Sequence, residues 1–209
     1  MLRILIADDH AVVRQGLKQI LEEQTDMRIN GEAANGGEVL DLLAKGSWDV
    51  VLMDISMPGR NGLEILKDIH IAMPRLPVLI LSMHPESQYA LRALRNGAAG
   101  YLTKESAPQE LVSAVRHVVS GRKYVSTSLA EQLASELEKP SDKPLHEDLS
   151  DRELQILCMI ASGKTPTTIA EELSLSVKTI STYRTRILRK MKMNNSAELT
   201  HYAIDKKLV

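Results

Sequence analysis

The sequence predicts a doubly wound α/β domain with a five-stranded parallel sheet, followed by a small all-α domain of four helices that contains a helix-turn-helix. Residues 1–122 alternate short apolar runs with amphipathic segments, as expected when each strand is followed by a helix. Residues 139–144, KPSDKP, contain no apolar side chain and indicate an exposed linker. The pattern after it is helical. We therefore predict domains at 1–122 and 148–209, joined by a linker with a short helix at 123–147.

Five segments have the character of strands that are buried on both faces of a sheet. Continuous apolar runs predict strands at 2–7, 49–53 and 78–81, and weaker patterns predict strands at 28–34 and 99–103. Amphipathic segments between them predict helices at 12–21, 38–44, 63–72, 87–94 and 110–119. Strands connected through such helices form a parallel sheet with right-handed crossovers. The ligand site of a sheet of this kind lies beyond the carboxyl ends of its strands.

Capping residues mark the starts of the helices that follow. Ser128 and Glu131 have the spacing of a capping box, which predicts the short helix of the linker. In the second domain the same spacing recurs at 150/153 and 195/198, while Thr165 precedes a proline and Ser176 opens the next helix. The tight connection at 174–175 indicates a turn of the helix-turn-helix kind.

Composition is that of a globular protein without membrane spans. Hydrophobic residues make up 44% and charged residues 25% of the chain, and no stretch approaches the ~20 apolar residues of a membrane helix. The first apolar run is too short for a signal sequence, so we expect a cytoplasmic protein. Cys158, the single cysteine, lies in an apolar run and is expected to be a buried hydrophobe. Ten of 26 Lys/Arg and seven of 27 Asp/Glu lie from residue 148 onward, giving that part +3 and the rest −4.

Polar residues stand where the predicted strands end. Asp8 and Asp9 follow the first strand, Asp54 the third, Ser82 the fourth and Lys104 the fifth. Each could cap a helix or be solvated, but together they converge on one edge of a parallel sheet. Neighbouring carboxylates repel one another, which raises a pKa unless a cation compensates, and Mg²⁺ with oxygen ligands suits phosphate chemistry. The cluster thus predicts a carboxylate that attacks phosphorus, with a lysine that neutralises charge.

Four segments resemble the successive motifs of bacterial receiver domains, which have a flavodoxin-like fold. They are IADDH at 6–10, MDISMPGRNG at 53–62, LSMH at 81–84 and GAAGYLTK at 97–104. The resemblance implies that Asp54 is the phosphoacceptor for a sensor histidine kinase. It also implies that Mg²⁺ is held by Asp8, Asp9, Asp54 and the Ser56 backbone carbonyl.

The same resemblance implies a switch around the phosphoryl group. Lys104 is expected to pair with that group, and Tyr101 to turn inward when Ser82 turns toward the phosphate. Ser56 and His84 stand two residues after the acceptor and the switch serine, where they would set the lifetime of the phosphoryl group. His84 by itself is more simply explained as a solvated loop residue than as a base or metal ligand.

One helix of the second domain combines basic and hydroxyl side chains. Six basic residues and no acidic one lie between 177 and 193. At ~100° per residue the apolar positions 177, 180, 187, 188 and 191 form one stripe, with Thr182 and its neighbours opposite, as a helix in a major groove requires. Arg184 falls on the apolar side and is expected to snorkel or pair with an acid. A solvated amphipathic helix would show the same pattern.

The second domain resembles the LuxR-type DNA-binding domain in the segments LSDRE at 149–153 and VKTISTY at 177–183. With the receiver motifs, the whole chain is similar to NarL/FixJ response regulators, which implies promoter DNA as a partner and a homodimer when active, with RNA polymerase as a further candidate partner. The final helix, 197–207, would form the dimer contact. The resemblance assigns base edges to Ser181, Thr182 and Thr185, and phosphate contacts to Lys178, Thr179, Tyr183, Arg186 and Arg189.

Three other classes remain open at the level of sequence. A phosphatase with an aspartyl-phosphate intermediate would also use Asp54, but usually needs an acid where Ser56 stands. A regulator controlled by a ligand instead of phosphorylation would be favoured by loss of an acidic or lysine position, and none is lost. An RNA-binding output is disfavoured by the helix-turn-helix. We expect a transcription regulator whose receiver only accepts and slowly hydrolyses a phosphoryl group, and not an enzyme.

Overall fold

A computed structural model describes residues 1–138, 144–206 and 208–209 of the chain. The described chain divides into two compact units, Met1–Ala134 and Ser135–Val209. Residues 139–143, five of the six residues of the predicted KPSDKP segment, lie outside the described residues. In the described part, no helix is both long and apolar enough to cross a membrane.

The first unit contains a five-stranded, all-parallel sheet in the order β2-β1-β3-β4-β5. The three central strands are the continuous apolar runs of the sequence, and β3 and β4 are buried along their whole length. The strands are β1 (Leu2–Ala7), β2 (Met27–Ala33), β3 (Val50–Asp54), β4 (Val78–Ser82) and β5 (Gly100–Thr103). This confirms the predicted fold class for the first domain.

A helix follows each strand, as predicted. The helices are α1 (Ala11–Glu22), α2 (Gly36–Lys45), α3 (Gly62–Ala72), α4 (Glu86–Arg95) and α5 (Ala107–Val119). Asn35 and Asn61 begin α2 and α3 by accepting hydrogen bonds from the backbone N–H groups of Glu38 and Leu63. Helix α5 begins three residues earlier than predicted because Pro108 is accommodated in its first turn.

A further helix, α6 (Thr127–Glu138), follows the sheet, and the division between the two units falls within it. The sequence predicted its start from Ser128 and Glu131, and this was wrong by two residues. The cap is Ser126, whose Oγ accepts a hydrogen bond from Leu129 N at 3.1 Å. Ser128 lies inside the helix, and its hydroxyl donates a hydrogen bond to Glu86 instead.

The second unit has a short 3₁₀ helix, Leu145–Asp148, and four α-helices in its described residues. They are α7 (Asp151–Ala161), α8 (Pro166–Glu172), α9 (Val177–Met191) and α10 (Ser196–Asp205). The predicted capping box of Ser150 and Glu153 is present in full. Thr165, Ser176 and Asn195 cap the other three helices, as predicted. The helix predicted at 197–207 ends at Asp205, and Lys207 lies outside the described residues.

The buried side of α9 differs from the predicted stripe at two positions. Ile180, Ile187 and Met191 are buried, but Val177 in the first turn is 44% exposed. Arg184 is also exposed, and its partner is a hydroxyl and not an acid: Nε donates to Ser196 Oγ at 2.8 Å. Helix α10 begins beside this position, which the helical wheel of α9 alone could not show. Cys158 is buried, as predicted.

Candidate phosphoacceptor site and nucleic-acid interface

A buried lysine joins two carboxylates at the carboxyl edge of the sheet. Lys104, which follows β5, places Nζ 2.6 Å from Asp8 Oδ2 and 2.7 Å from Asp54 Oδ2. Asp8 follows β1 and Asp54 ends β3, and both are at most 2% exposed. Parallel pairing sets their positions, because it brings the carboxyl ends of β1, β3, β4 and β5 to the same edge. The expected convergence of these side chains is therefore present.

Burial destabilises the charged form of the Asp54 carboxyl group. Loss of water raises the pKa of Asp54, and Asp8 raises it further, while Lys104 and the Ser56 N–H only partly oppose them. Burial works to lower the pKa of Lys104, but its two carboxylate partners outweigh it and the pKa is raised. The lysine is therefore held as a cation beside a carboxylate that has few compensating donors.

Oxygen atoms suited to a hard cation surround Asp54. Ligand atoms of Asp8, Asp9, His10 and Asp54 lie within 4.8 Å of one another. Three of these residues offer carboxylate oxygens, the donors that Mg²⁺ prefers, so the donor set fits this ion. Ser56 N donates to Asp54 Oδ1 at 3.0 Å, which places the Ser56 backbone beside the same group. The sequence analysis assigned no role to His10, although its position directly after Asp8 and Asp9 could have indicated that it lies at the same site.

The loop after β4 connects Ser82 to Tyr101. The backbone N–H of His84 donates to Ser82 Oγ at 3.1 Å, and Tyr101 donates its hydroxyl to the His84 carbonyl at 2.9 Å. Tyr101 is fully buried, so its ring has the inward position. The expectation that His84 is simply solvated was wrong, because its ring packs against Tyr89 with centroids 5.0 Å apart. Its Nε2 also lies 3.3 Å from Ser56 Oγ, a pairing between remote residues that no local pattern indicates.

The eight residues predicted to contact DNA all lie in the first thirteen positions of α9. Six of them are exposed, and Thr179 and Tyr183 are half-buried. A shallow cleft of about 330 Å³ lies at the first part of this helix. It is lined by Ser176, Lys178, Thr179, Thr182, Tyr183 and Arg186. The Arg186 guanidinium lies 6.0 Å from the centre of the Tyr183 ring. The surface thus offers cations and hydroxyl groups along one helix.

The three hydroxyl groups predicted to face base edges all donate to the backbone one turn earlier. Ser181, Thr182 and Thr185 donate to the carbonyl oxygens of residues 177, 178 and 181 at 3.0, 3.0 and 3.1 Å. Their protons are used within the helix in this arrangement, so their remaining capacity is to accept hydrogen bonds.

Lys190 of α9 is paired with a buried carboxylate. Lys190 donates to Glu153 Oε2 at 2.6 Å, and Glu153 is 4% exposed. Burial works to raise the pKa of Glu153, but hydrogen bonds from Lys190 and Ser150 outweigh it and the pKa is lowered. Of the six basic residues between 177 and 193, Lys190 therefore stabilises the second unit.

Comparison with known families assigns the class of each half of the chain. The family described as response regulator receiver domain matches residues 4–116. The family described as bacterial regulatory proteins, luxR family, matches residues 147–203. A receiver fold with this acidic edge and a luxR-type helical unit define a response regulator that regulates transcription.

Full-length relatives give the family more narrowly. The chain is 40% identical to response regulator UvrY of Escherichia coli K12 over 98% of this chain and 94% of that protein. It is 41% identical to the oxygen regulatory protein NreC of Staphylococcus haemolyticus over 100% and 99% of the two chains. A structure of RcsB from Salmonella enterica serovar Typhimurium, bound to the rprA promoter, is 27% identical with a TM-score of 0.66 over 97% and 98% of the chains. The chain belongs to the NarL/FixJ family of two-component response regulators.

Proposed function

We propose that Asp54 accepts a phosphoryl group from a sensor histidine kinase and that this controls binding of the chain to promoter DNA. The observation that carries the proposal is the buried triad in which Lys104 Nζ lies within 2.7 Å of both Asp8 and Asp54. A carboxylate with a raised pKa beside a fixed cation is suited to attack phosphorus, because the cation stabilises charge on the phosphoryl oxygens.

The proposed transfer forms one bond and breaks another. An Asp54 carboxylate oxygen attacks the phosphorus of a phosphohistidine, the P–N bond breaks, and the histidine nitrogen leaves with the electron pair and takes up a proton. The product is an acyl phosphate on Asp54, which water later hydrolyses. Ser56 and His84, whose side chains meet at 3.3 Å beside this position, would limit the access of that water.

Mg²⁺ is the proposed cofactor. Asp8, Asp9, Asp54 and the Ser56 carbonyl would hold it, and the bound ion would neutralise charge on the phosphoryl oxygens. The chain's own residues do the rest: Lys104 pairs with the transferred group, and Ser82 donates its hydroxyl to it. When Ser82 turns toward the phosphate, its hydrogen bond from His84 N would be lost. Tyr101 was expected to turn inward at this step, but its ring is already buried in this structure.

The output proposed for the second unit is binding to double-stranded promoter DNA. Lys178, Arg186 and Arg189 would contact phosphates with Thr179 and Tyr183, and the hydroxyl groups of residues 181, 182 and 185 would face base edges. Phosphorylation would act through domain arrangement or through dimerisation that involves α10, because the acceptor lies in a separate unit. We propose functional domains at 1–122 and 148–209 with a linker at 123–147, RNA polymerase as a further partner, and the cytoplasm as the place of action.

Intact-mass spectrometry after treatment with acetyl phosphate tests the acceptor. We expect one phosphoryl adduct that requires Mg²⁺ and is absent in Asp54→Asn. Asp49→Asn is a matched control, since Asp49 lies in the same unit and pairs with Arg3 at the surface. An adduct that persists in Asp54→Asn, or forms equally in excess chelator, would contradict the assignment.

A further inference from the structure

The chain between α5 and α6 is fastened along the edge of the sheet. Tyr124 N donates to the Ala99 carbonyl at 2.9 Å, and Tyr124 pairs with Gly100 as an isolated parallel bridge. The Tyr124 hydroxyl donates to Glu110 Oε2 at 2.7 Å, and Lys123 Nζ donates to the Ala98 carbonyl at 2.5 Å. We call residues 123–128 the strap. It ends at the first turn of α6, and α6 is the element in which the two units divide.

A single carboxylate holds the end of the strap. Ser126 and Ser128 both donate their hydroxyl groups to Glu86 Oε2, the latter at 3.1 Å. The Ser126 oxygen is also the cap of α6, because it accepts a hydrogen bond from Leu129 N. Glu86 therefore fixes the residue that begins α6.

Glu86 is also tied to the candidate phosphoacceptor site. It is the first residue of α4 and stands two residues after His84, whose N–H and carbonyl bind the Ser82 and Tyr101 hydroxyl groups. Burial is the main reason for the raised pKa of Tyr101 and for a Tyr124 pKa of about 12, and the Glu86 charge adds to both shifts. The charge of this carboxylate thus acts on both the switch tyrosine and the strap tyrosine.

We propose that Glu86 is a latch that couples the Asp54 site to α6: it holds the strap while the site is unphosphorylated, and it releases the first turn of α6 when Ser82 turns toward a phosphoryl group. The inference rests on the proposed phosphorylation of Asp54. It identifies the contact through which a change at the sheet edge reaches the helix that leads to the DNA-binding unit.

The coupling follows from the hydrogen bonds that connect the two ends. Loss of the His84 N–H bond to Ser82 removes one of the contacts that hold the loop before Glu86, and both serine hydroxyl groups depend on the same carboxylate oxygen. Hydrogen bonds to a charged group are stronger than neutral ones, so their loss together weakens the cap of α6 and its attachment. Phosphorylation would therefore lower the fraction of molecules in which Glu86 holds the first turn of α6.

Amide hydrogen exchange of residues 127–134 in the full chain tests the latch, with intact mass measured on the same samples. In the wild type, we expect phosphorylation by acetyl phosphate and Mg²⁺ to increase exchange in this segment by about tenfold, the effect of losing one or two such bonds. Glu86→Ala should raise exchange by a similar factor without phosphorylation, and phosphorylation should then add nothing. Ser128→Ala is a milder variant that should give part of the same increase.

Glu110→Ala is the matched control, since it removes the Tyr124 partner from the strap but leaves Glu86 in place. It should increase exchange around residue 124 and keep the response of 127–134 to phosphorylation. If the wild type carries the phosphoryl group and the segment does not respond, or if Glu86→Ala responds as the wild type does, the latch is wrong while the acceptor assignment stands. If no variant acquires the phosphoryl group, the proposed function itself fails and the latch fails with it.

Discussion

Each unit of this response regulator contains a buried carboxylate with a lysine at nearly the same distance, yet the pKa values of the two carboxylates shift in opposite directions. Lys104 Nζ is 2.7 Å from Asp54 and Lys190 Nζ is 2.6 Å from Glu153. The pKa of Asp54 is raised, whereas that of Glu153 is lowered. The lysine alone therefore does not decide the state of the carboxylate.

The surroundings explain the difference. Asp54 shares its lysine with a second buried carboxylate, Asp8, and it accepts a hydrogen bond from the backbone N–H of Ser56. Glu153 also accepts the N–H of Ser150 within a capping box, and Lys190 is shared with no second carboxylate at ion-pair distance among the described residues. Burial is the main cause that raises the pKa of Asp54, Asp8 adds to it, and the donors only partly oppose them, whereas the donors to Glu153 outweigh its burial. In the second unit, the proposed function lies on the exposed face of α9.

The largest expected effect comes from removing each lysine. Lys104→Met leaves Asp8 and Asp54 buried together without their cation, so we expect the free energy of unfolding to fall by about 3 kcal/mol in chelator at neutral pH. Lys190→Met should cost only about 1 kcal/mol, since Lys190 is 37% exposed and the other donors to Glu153 remain. Urea unfolding followed by Trp48 fluorescence reports on the first unit, and exchange of α7 amides reports on the second.

Added Mg²⁺ provides the control for the first of these variants. Because the freed oxygens suit the ion, millimolar Mg²⁺ should restore part of the stability of Lys104→Met and none of that of Lys190→Met. Equal costs for the two variants, unaffected by Mg²⁺, would remove the proposed distinction between the two carboxylates.

The sequence was sufficient to predict the site where polar residues follow apolar strands. Asp8, Asp54 and Ser82 each stand at the end of a continuous apolar run and Lys104 at the end of a weaker strand pattern, and a parallel sheet must bring such ends to one edge. The same reasoning predicted the fold class and the capping box at Ser150, because periodicity and caps are local properties.

Contacts between remote residues were beyond sequence reasoning. Glu86 meets Ser126 only because the strap runs along β5, and Lys190 meets Glu153 only because α9 packs on α7. The Ser196 partner of Arg184 was missed for the same reason: the wheel of one helix does not include its neighbour, α10. These partners depend on the path of the chain in space, which a local pattern does not contain.

The pH dependence of Asp54→Asn should reveal the raised pKa. The folded wild type retains the Asp54 proton to higher pH than the unfolded chain, whose value is near 3.8, so the free energy of unfolding falls as pH rises through this interval. Asparagine cannot titrate. In chelator we therefore expect Asp54→Asn to gain stability relative to wild type between pH 4 and pH 7, measured by Trp48 fluorescence in urea. A constant difference between the two proteins across this range would contradict the raised pKa.

Glu153→Gln should show the opposite sign. Its lowered pKa contributes stability that is fully present above the unfolded value of 4.5 and is lost as pH falls through the folded pKa. Glutamine can keep the capping hydrogen bonds but loses the charge, so the cost should be about 1 kcal/mol at pH 7 and should disappear in acid. Exchange of α7 amides at several pH values, corrected for intrinsic exchange, measures it. A cost that persists unchanged in acid would show that shape and not charge is what Glu153 supplies.

The smallest expected effect is on DNA binding by the exposed face of α9, where the charged side chains are spread along the helix. Because Thr182 Oγ1 already donates to the Lys178 carbonyl, it can offer DNA an acceptor, which suits the amino group of adenine or cytosine. Thr182→Val keeps the shape and removes that acceptor, so discrimination at one base pair should fall by about 1 kcal/mol with the salt dependence unchanged.

Lys178→Met should instead weaken binding to all sequences alike and reduce the salt dependence by about one counterion. Titration of each full-length variant against DNA selected from random fragments and against scrambled DNA, at several salt concentrations, separates the two roles. Thr182→Ser, which retains the hydroxyl, should discriminate as the wild type does; if it loses discrimination to the same extent as Thr182→Val, the methyl group and not the oxygen reads the base.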